Sequence, residues 1–356
     1  MVNCRGKKRL LFCILTAVML LFVAGCGKKE GSPINWQEIQ TMEEEKYTVI
    51  RVDDSFLRTG EQLSETVYCN GRVYFFREQI IDSMRLNPEY YSVGCMDAET
   101  GETKILYEAP KYIVLQDIIA AEDKVYWVEI DFGEASKWKI AYYDMKEEIL
   151  GVVREGIMGE DTWSEPVLTL SGRYILWDEA KPDGPLTSFQ YSLDDGSLQE
   201  WNQPETDFYN PYIGNRVYKG EPVYLSGEEG TYEIKSGEKI FHRIEAETVG
   251  AYYISEQGIL WEEGEVNSKA WFVRMQNDEV IGEAQMLPFQ SVFSIELCGE
   301  WILLKKSVNK NYYAINVNSG EQYLVPVEGS YAPRRSADGS MYFKGYDGSV
   351  VLLHLR

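Results

Sequence analysis

Histidine is almost missing from this chain, with only His242 and His354 in 356 residues. That leaves little for a zinc site or for His-based acid–base chemistry. Both lie in strand-like contexts, Ile240-Phe-His242-Arg-Ile and Leu352-Leu-His354-Leu-Arg, and read as structural imidazoles. A Gly-x-Ser-x-Gly nucleophile elbow is also missing, as is the spaced Asp-x-Asp-x-Asp-Gly loop of a calcium site. Asp194-Asp195-Gly196 and Asp347-Gly348 are read as hairpin turns instead. Basic residues are outnumbered 35 to 57, a formal charge of -22, which excludes a nucleic-acid partner because phosphates would be repelled. Cysteine is sparse: beyond Cys26 only Cys69, Cys95 and Cys298 remain, an odd count that makes no disulfide framework. A Cys69–Cys95 bridge and buried free thiols are both open, the latter favoured. No catalytic residue, metal ligand or cofactor site is expected.

Aromatic residues, by contrast, make up 13% of the chain, with 25 Tyr, 13 Phe and 9 Trp. They favour pleated, half-buried surfaces and point towards sheet. Capped stretches of 3.6-residue period are absent after the first fifty residues. The N-terminus opens with Arg5, Lys7, Lys8 and Arg9, runs apolar from Leu10 to Phe22, and ends in Val23-Ala24-Gly25-Cys26. The apolar stretch is shorter than the ~20 residues of a membrane span and reads as a secretory signal. Val-Ala-Gly-Cys resembles a bacterial lipobox, with Val23 in place of the more usual Leu. The resemblance implies cleavage before Cys26 and acylation of its sulfur, and two acyl chains suffice for stable anchoring. Losing the four basic residues ahead of the cut takes the formal charge from -22 to -26. Residues 1–25 are thus expected to be a signal peptide and 26–46 an acylated cysteine with a flexible tether reaching about 25 Å.

From residue 47 to 356 the sequence repeats. A Gly or Asp turn leads into an apolar, aromatic strand at Asn70-Gly71, Glu122-Asp123, Ser171-Gly172, Lys219-Gly220, Gln257-Gly258, Cys298-Gly299 and Asp338-Gly339. A second turn follows, clearest at Asp97–Glu102, Asp194–Gly196, Ser236-Gly237 and Asn316–Glu321. Two hairpins per unit make four strands, and four-stranded repeats of roughly 40 residues mark a β-propeller. The expectation is an all-β chain with a single β-propeller of seven four-stranded blades. The last copy is one strand short, and Lys46–Val52, which alternates as a strand does, is expected to supply it and close the ring.

Ser336-Ala-Asp338-Gly339-Ser-Met-Tyr342-Phe343 resembles the turn of TolB-type propeller repeats. The Asp97–Glu102 and Asn316–Glu321 turns are similar to those of quinoprotein-like and YncE-like repeats. The whole chain resembles a propeller lipoprotein of low-GC Gram-positive bacteria, a DUF5050-like domain of unknown function. No regular Gly-Lys-x-x-Trp series is present, so a quinone cofactor is not implied.

Three segments with an aromatic shortly before a proline precede inner strands: Thr162–Pro166, Phe208–Tyr212 and Tyr331–Arg335. Such connections line one face of a propeller near its channel, beside the loops at 77–88, 130–138 and 178–187. Trp163, Tyr209, Tyr212, Tyr331, Arg334 and Arg335 are therefore the candidate anchors for a protein or glycan partner. Packing between blades would use the same aromatics, and Arg334-Arg335 could equally neutralise nearby carboxylates. The reading is a membrane-tethered, extracytoplasmic binding or scaffold module. An extracellular enzyme acting on carbohydrate or peptide through channel carboxylates is the alternative.

Overall fold

Each turn motif closes a hairpin. In a computed structural model, the described residues are 33–79, 91–131, 137–158, 165–180, 186–202, 217–228, 230–264, 268–307, 310–329 and 331–355. The strands group into seven consecutive antiparallel units, the blades of a β-propeller. Blade 1 consists of Glu61–Cys69, Arg72–Gln79, Tyr91–Asp97 and Thr103–Glu108, hydrogen-bonded in that order. The first strands of the later blades are Ile113–Ala121, Thr169–Ser171, Val217–Tyr218, Val249–Ile254, Val292–Cys298 and Arg334–Arg335.

Second strands are continuous apolar runs, as in Val73-Tyr74-Phe75-Phe76 and Val125-Tyr126-Trp127-Val128, because a neighbouring blade covers each face. Outer strands look different: Ile149–Ile157 contains no fully buried residue. The buried clusters cross blade boundaries. One joins Tyr342, Val350 and Leu352 of blade 7 to Tyr74 and Val93 of blade 1 and to Trp127 of blade 2. Blade 4 is the irregular one. Its two-residue first strand pairs with Glu221–Pro222, after which the second strand resumes at Tyr224–Glu228. Pro222 lacks an N–H, and the ladder breaks there.

The expected closure is present. Tyr47–Ile50 pairs antiparallel with Val350–Leu353 and becomes the outer strand of blade 7. Residues 33–46, expected to belong to a flexible tether, differ from that expectation. Ile39–Thr41 adds as a fifth, parallel strand to Gln322–Val325 of blade 6. The Gln37 and Met42 N–H groups donate to the Gly320 and Leu324 carbonyls, and Ile34 and Met42 are buried. The correction has a physical reason: the strand's own side chains are all exposed and show no alternation, so the sequence carries no period for it. Two isolated apolar residues hold the segment down.

Strand alternation gives the ring two unlike faces. Hairpins between first and second strands, and between third and fourth, share one face, called here the turn face. The described connections that lead from the fourth strand of one blade to the first strand of the next share the opposite, loop face. On the turn face, neighbouring hairpins are tied together. Asn70 donates its N–H to Asp338 (3.2 Å) and its side-chain amide to the Glu122 carbonyl (3.2 Å), and Arg173 pairs with Glu122 (2.5 Å).

Blades are also joined by buried charges. Glu179 on the second strand of blade 3 is fully buried. It accepts from Trp177 Nε1 (2.9 Å) and from both ends of the Arg154 guanidinium of blade 2, at 2.6 and 2.9 Å. Within blade 2, Glu129 likewise accepts from Trp127 Nε1 (3.1 Å) and pairs with Lys139 of the next strand (2.9 Å). Both histidines are structural: His242 packs on the Trp261 ring at 5.0 Å, and His354 Nε2 shares a 2.7 Å hydrogen bond with Thr48 across the closing strands. Cys69 and Cys95 are buried free thiols and no bridge joins them.

Candidate functional site

The inner strands do not run straight along the channel. Four of the seven carry a bulge, at Ser64/Thr66, Gln116/Ile119, Val249/Tyr252 and Val292/Ser294. An extra residue in a strand re-aims side chains and is often found beside sites. In blades 1 and 2 the bulge holds an acidic residue in the left-handed region, Glu65 at φ 34° and Asp117 at φ 49°. This conformation is costly for a residue with a β-carbon and persists only where its surroundings impose it.

The bulges surround a cavity of about 540 Å³ at the centre of the ring, open on the loop face and lined from six blades. Asp117, Glu262, Glu296, Arg334 and Arg335 are its charged residues, and Phe293, Ile295, Tyr253, Leu168 and Tyr342 supply much of its apolar wall. Arg334 pairs with Glu65 at 3.1 Å and sits close enough to Asp117 to favour its ionised form. The Leu168 N–H also donates to Asp117. Arg335 lies beside Glu296 and reaches the Leu297 carbonyl at 3.5 Å. Glu262 differs from the rest. It stands on a second strand and reaches the cavity past Gly250, where a β-carbon would lie 3.3 Å from Glu262 Oε2.

Burial decides the state of these carboxyls. It pushes Glu262 up to about 8 and Glu296 to about 7, the latter against the pull of Arg335. Asp117 is pushed up to about 6, with the Leu168 N–H and Arg334 opposing. Between 4.5, the ordinary carboxyl value, and about 8 the folded chain therefore holds a proton on Glu262 that the unfolded chain releases. Stability from this group falls as pH rises through that window. Glu296 and Asp117 act in the same direction at lower pH, whereas His242, held low by burial, acts in the opposite one. Thermal unfolding should therefore show a midpoint that drops as pH rises from about 5 to about 8, and Glu262→Gln should remove most of the part of that drop lying between pH 7 and pH 8. The same drop in the variant would refute the assignment.

Arg334 and Arg335 are placed inside the cavity, not on an outer rim, and Arg334 is engaged by a carboxylate. Tyr331 is on the loop face, 42% exposed, with Lys344 Nζ 4.7 Å from its ring centre. Trp163, Tyr209, Tyr212 and Cys26 lie outside the described residues. Sequence reasoning missed Glu65, Asp117, Glu262 and Glu296. A signal existed for Asp117 and Glu296, each a lone acid inside an inner strand that ends in a turn motif, whereas Glu65 shares its strand with Glu61. For Glu262 the only sign is a glycine in the strand in front of it.

No family model matches the chain, and no curated protein matches it. Among solved structures it is similar to the β-propeller domain of the Trilobed protease from Pyrococcus furiosus. That likeness has 14% identity, coverage of 76% of this chain and 85% of that one, and a TM-score of 0.47. The Neurospora crassa Pan2 WD40 domain is similar at 8% identity, with 89% and 98% covered and a TM-score of 0.49. TolB from Acinetobacter baumannii is similar at 11%, with 82% and 78% covered and a TM-score of 0.37. None of these likenesses bears on what the chain binds.

Proposed function

We propose that this chain is a lipid-anchored, extracytoplasmic lipoprotein of the DUF5050-like kind, whose propeller binds a partner or ligand on its loop face without catalysis. The observation that carries the reading is the asymmetry of the ring. One face is tied turn to turn, while the other opens a cavity lined from six blades. Rigid scaffolds with a concave, mixed apolar and polar site are the usual form of a binding module.

The docked N-terminal segment adds an orientation. Ile39–Thr41 runs parallel to Gln322–Val325, and Asn35 lies against Gly320 in a turn-face hairpin. Pro33 therefore enters from the turn face. Six residues separate it from Cys26, and the seven steps reach about 25 Å at most. An acylated Cys26 would hold the turn face towards the membrane and the cavity away from it, where an external protein or glycan could enter.

Membrane fractionation tests the anchor: Cys26→Ser should move the protein out of the membrane fraction, and unchanged partitioning would overturn the lipobox. For the partner, crosslinking on intact cells with mass spectrometry should capture a protein that is lost on Trp163→Ala/Tyr209→Ala. Capture that survives this substitution would remove the loop face from the reading.

A second reading is favoured by the three raised carboxyls in one cavity, which suit acid–base hydrolysis of a carbohydrate or peptide. Turnover of cell-wall polysaccharide or peptide by the wild type, lost in Asp117→Asn, would replace the binding reading with this one.

A further inference from the structure

The cavity's charges do not balance. Three acids, Asp117, Glu262 and Glu296, face two guanidinium groups across it. Arg334 is paired with Glu65 and flanks Asp117, and Arg335 flanks Glu296. Glu262 has no such neighbour. Its Oε1 is buried with no hydrogen-bond partner among the described residues, and so is the hydroxyl of Ser294, which lines the same cavity. A buried acceptor left unmatched costs about 1–3 kcal/mol.

The backbone is arranged to expose this carboxylate. Val249 pairs with Glu263 and Tyr252 with Trp261, so the bulged residues Gly250 and Ala251 together stand opposite Glu262. An inner strand normally screens the second strand from the channel. Here it bends away at the one position where a side-chain-less residue leaves a window. Any residue larger than glycine at 250 would close on the carboxylate.

We propose that the central cavity binds small organic ammonium ions, a primary amine on an apolar body, with Glu262 as the counter-ion seen through the Gly250 window. A metal ion fits less well, because among the described residues no three His, Cys, Asp or Glu side chains converge, and calcium takes six to eight oxygen ligands. The two arginines are already taken up by Glu65, Asp117 and Glu296, so Glu262 is the acid in the cavity left for a ligand cation, and the chain's formal charge of -22 draws cations towards the protein. Phe293, Ile295 and Ala251 line the cavity with Glu262 and supply the apolar contact, and about 540 Å³ lies within the range of small-molecule sites. Binding of the ammonium to a carboxyl that is protonated at neutral pH releases that proton to solvent, so affinity rises with pH up to about 8.

This inference rests on the binding reading above, and the two can fail separately, since crosslinked partners do not depend on Glu262. The test is calorimetry of the full chain in detergent with 2-phenylethylamine, its neutral counterpart 2-phenylethanol and the anion 3-phenylpropanoate. The amine should bind, with a heat that varies with the buffer's ionisation enthalpy, and the other two should bind at least tenfold more weakly. Glu262→Gln should lose about tenfold or more in amine affinity, the scale of a charge-assisted hydrogen bond. Gly250→Val, which closes the window, should do the same. The pH dependence of thermal unfolding serves as a control that Glu262→Gln is folded. Equal binding of amine and alcohol, undiminished binding by a folded Glu262→Gln, or no binding of the amine at millimolar concentration would each overturn the proposal.

Discussion

Deleting Tyr47–Ile50 is expected to destabilise the whole propeller, not one blade, by about 5 kcal/mol or more, on the order of 10 °C in thermal midpoint. These residues cover Val350, Val351, Leu352 and Leu353, all of them buried, and complete the blade that joins the end of the ring to its beginning. Removing them uncovers an apolar strand edge, so the variant should also self-associate on size exclusion. The effect reaches further than the strand because the cluster containing Ile50, Val350 and Leu352 extends through blade 1 to Trp127 of blade 2. Val49→Pro, which disrupts the same ladder without shortening the chain, should give a smaller loss of the same kind. A melting curve unchanged by the deletion would mean that the ring does not depend on its closing strand.

The second large effect is expected at Arg154. Alanine there leaves the Glu179 carboxylate buried with, among the described residues, the Trp177 indole as its remaining side-chain partner. Breaking a buried pair from one side costs about 3–5 kcal/mol, because the remaining charge keeps its desolvation penalty. The Arg154 guanidinium also packs 4.0 Å from the centre of the Phe189 ring, so its loss removes contact as well as charge. Combining Arg154→Met with Glu179→Leu should recover much of the stability, since two apolar residues leave nothing unpaired. Chemical denaturation of the three proteins measures this directly. A single variant as stable as the wild type would show that the bridge between blades 2 and 3 contributes nothing.

The ring was readable because its turns have strict backbone demands. Gly71, Gly172 and Gly339 all take positive φ where first strand meets second, and few residues but glycine, asparagine and aspartate do this cheaply. The same pattern misleads in detail. In blade 2 it is Glu122, not Asp123, that turns at φ 56°, and in blade 5 Gly258 is not in that region at all. A β-carbon on Gly258 would lie 2.2 Å from the Val273 carbonyl, so its glycine answers to a close approach between strands. The cavity was much less readable. Each bulge shifts strand register and turns side chains to a face that alternation does not predict. Asp117 and Glu65 thus point into a channel that their spacing alone could not place, and Glu262 arrives there from the strand behind.

The N-terminal segment on blade 6 also determines how the molecule would carry load. Were Cys26 acylated as proposed, any drag on the propeller would be transmitted through Pro33 and along the axis of Ile39–Thr41, which lies parallel to its neighbour. The hydrogen bonds there, with the buried anchors Ile34 and Met42, would be strained together in shear instead of being unzipped singly. Tyr47–Ile50 follows later in the chain and would be shielded until that clasp had slipped. In a protein anchored at Cys26 the segment would act as a strain relief ahead of the seam of the ring.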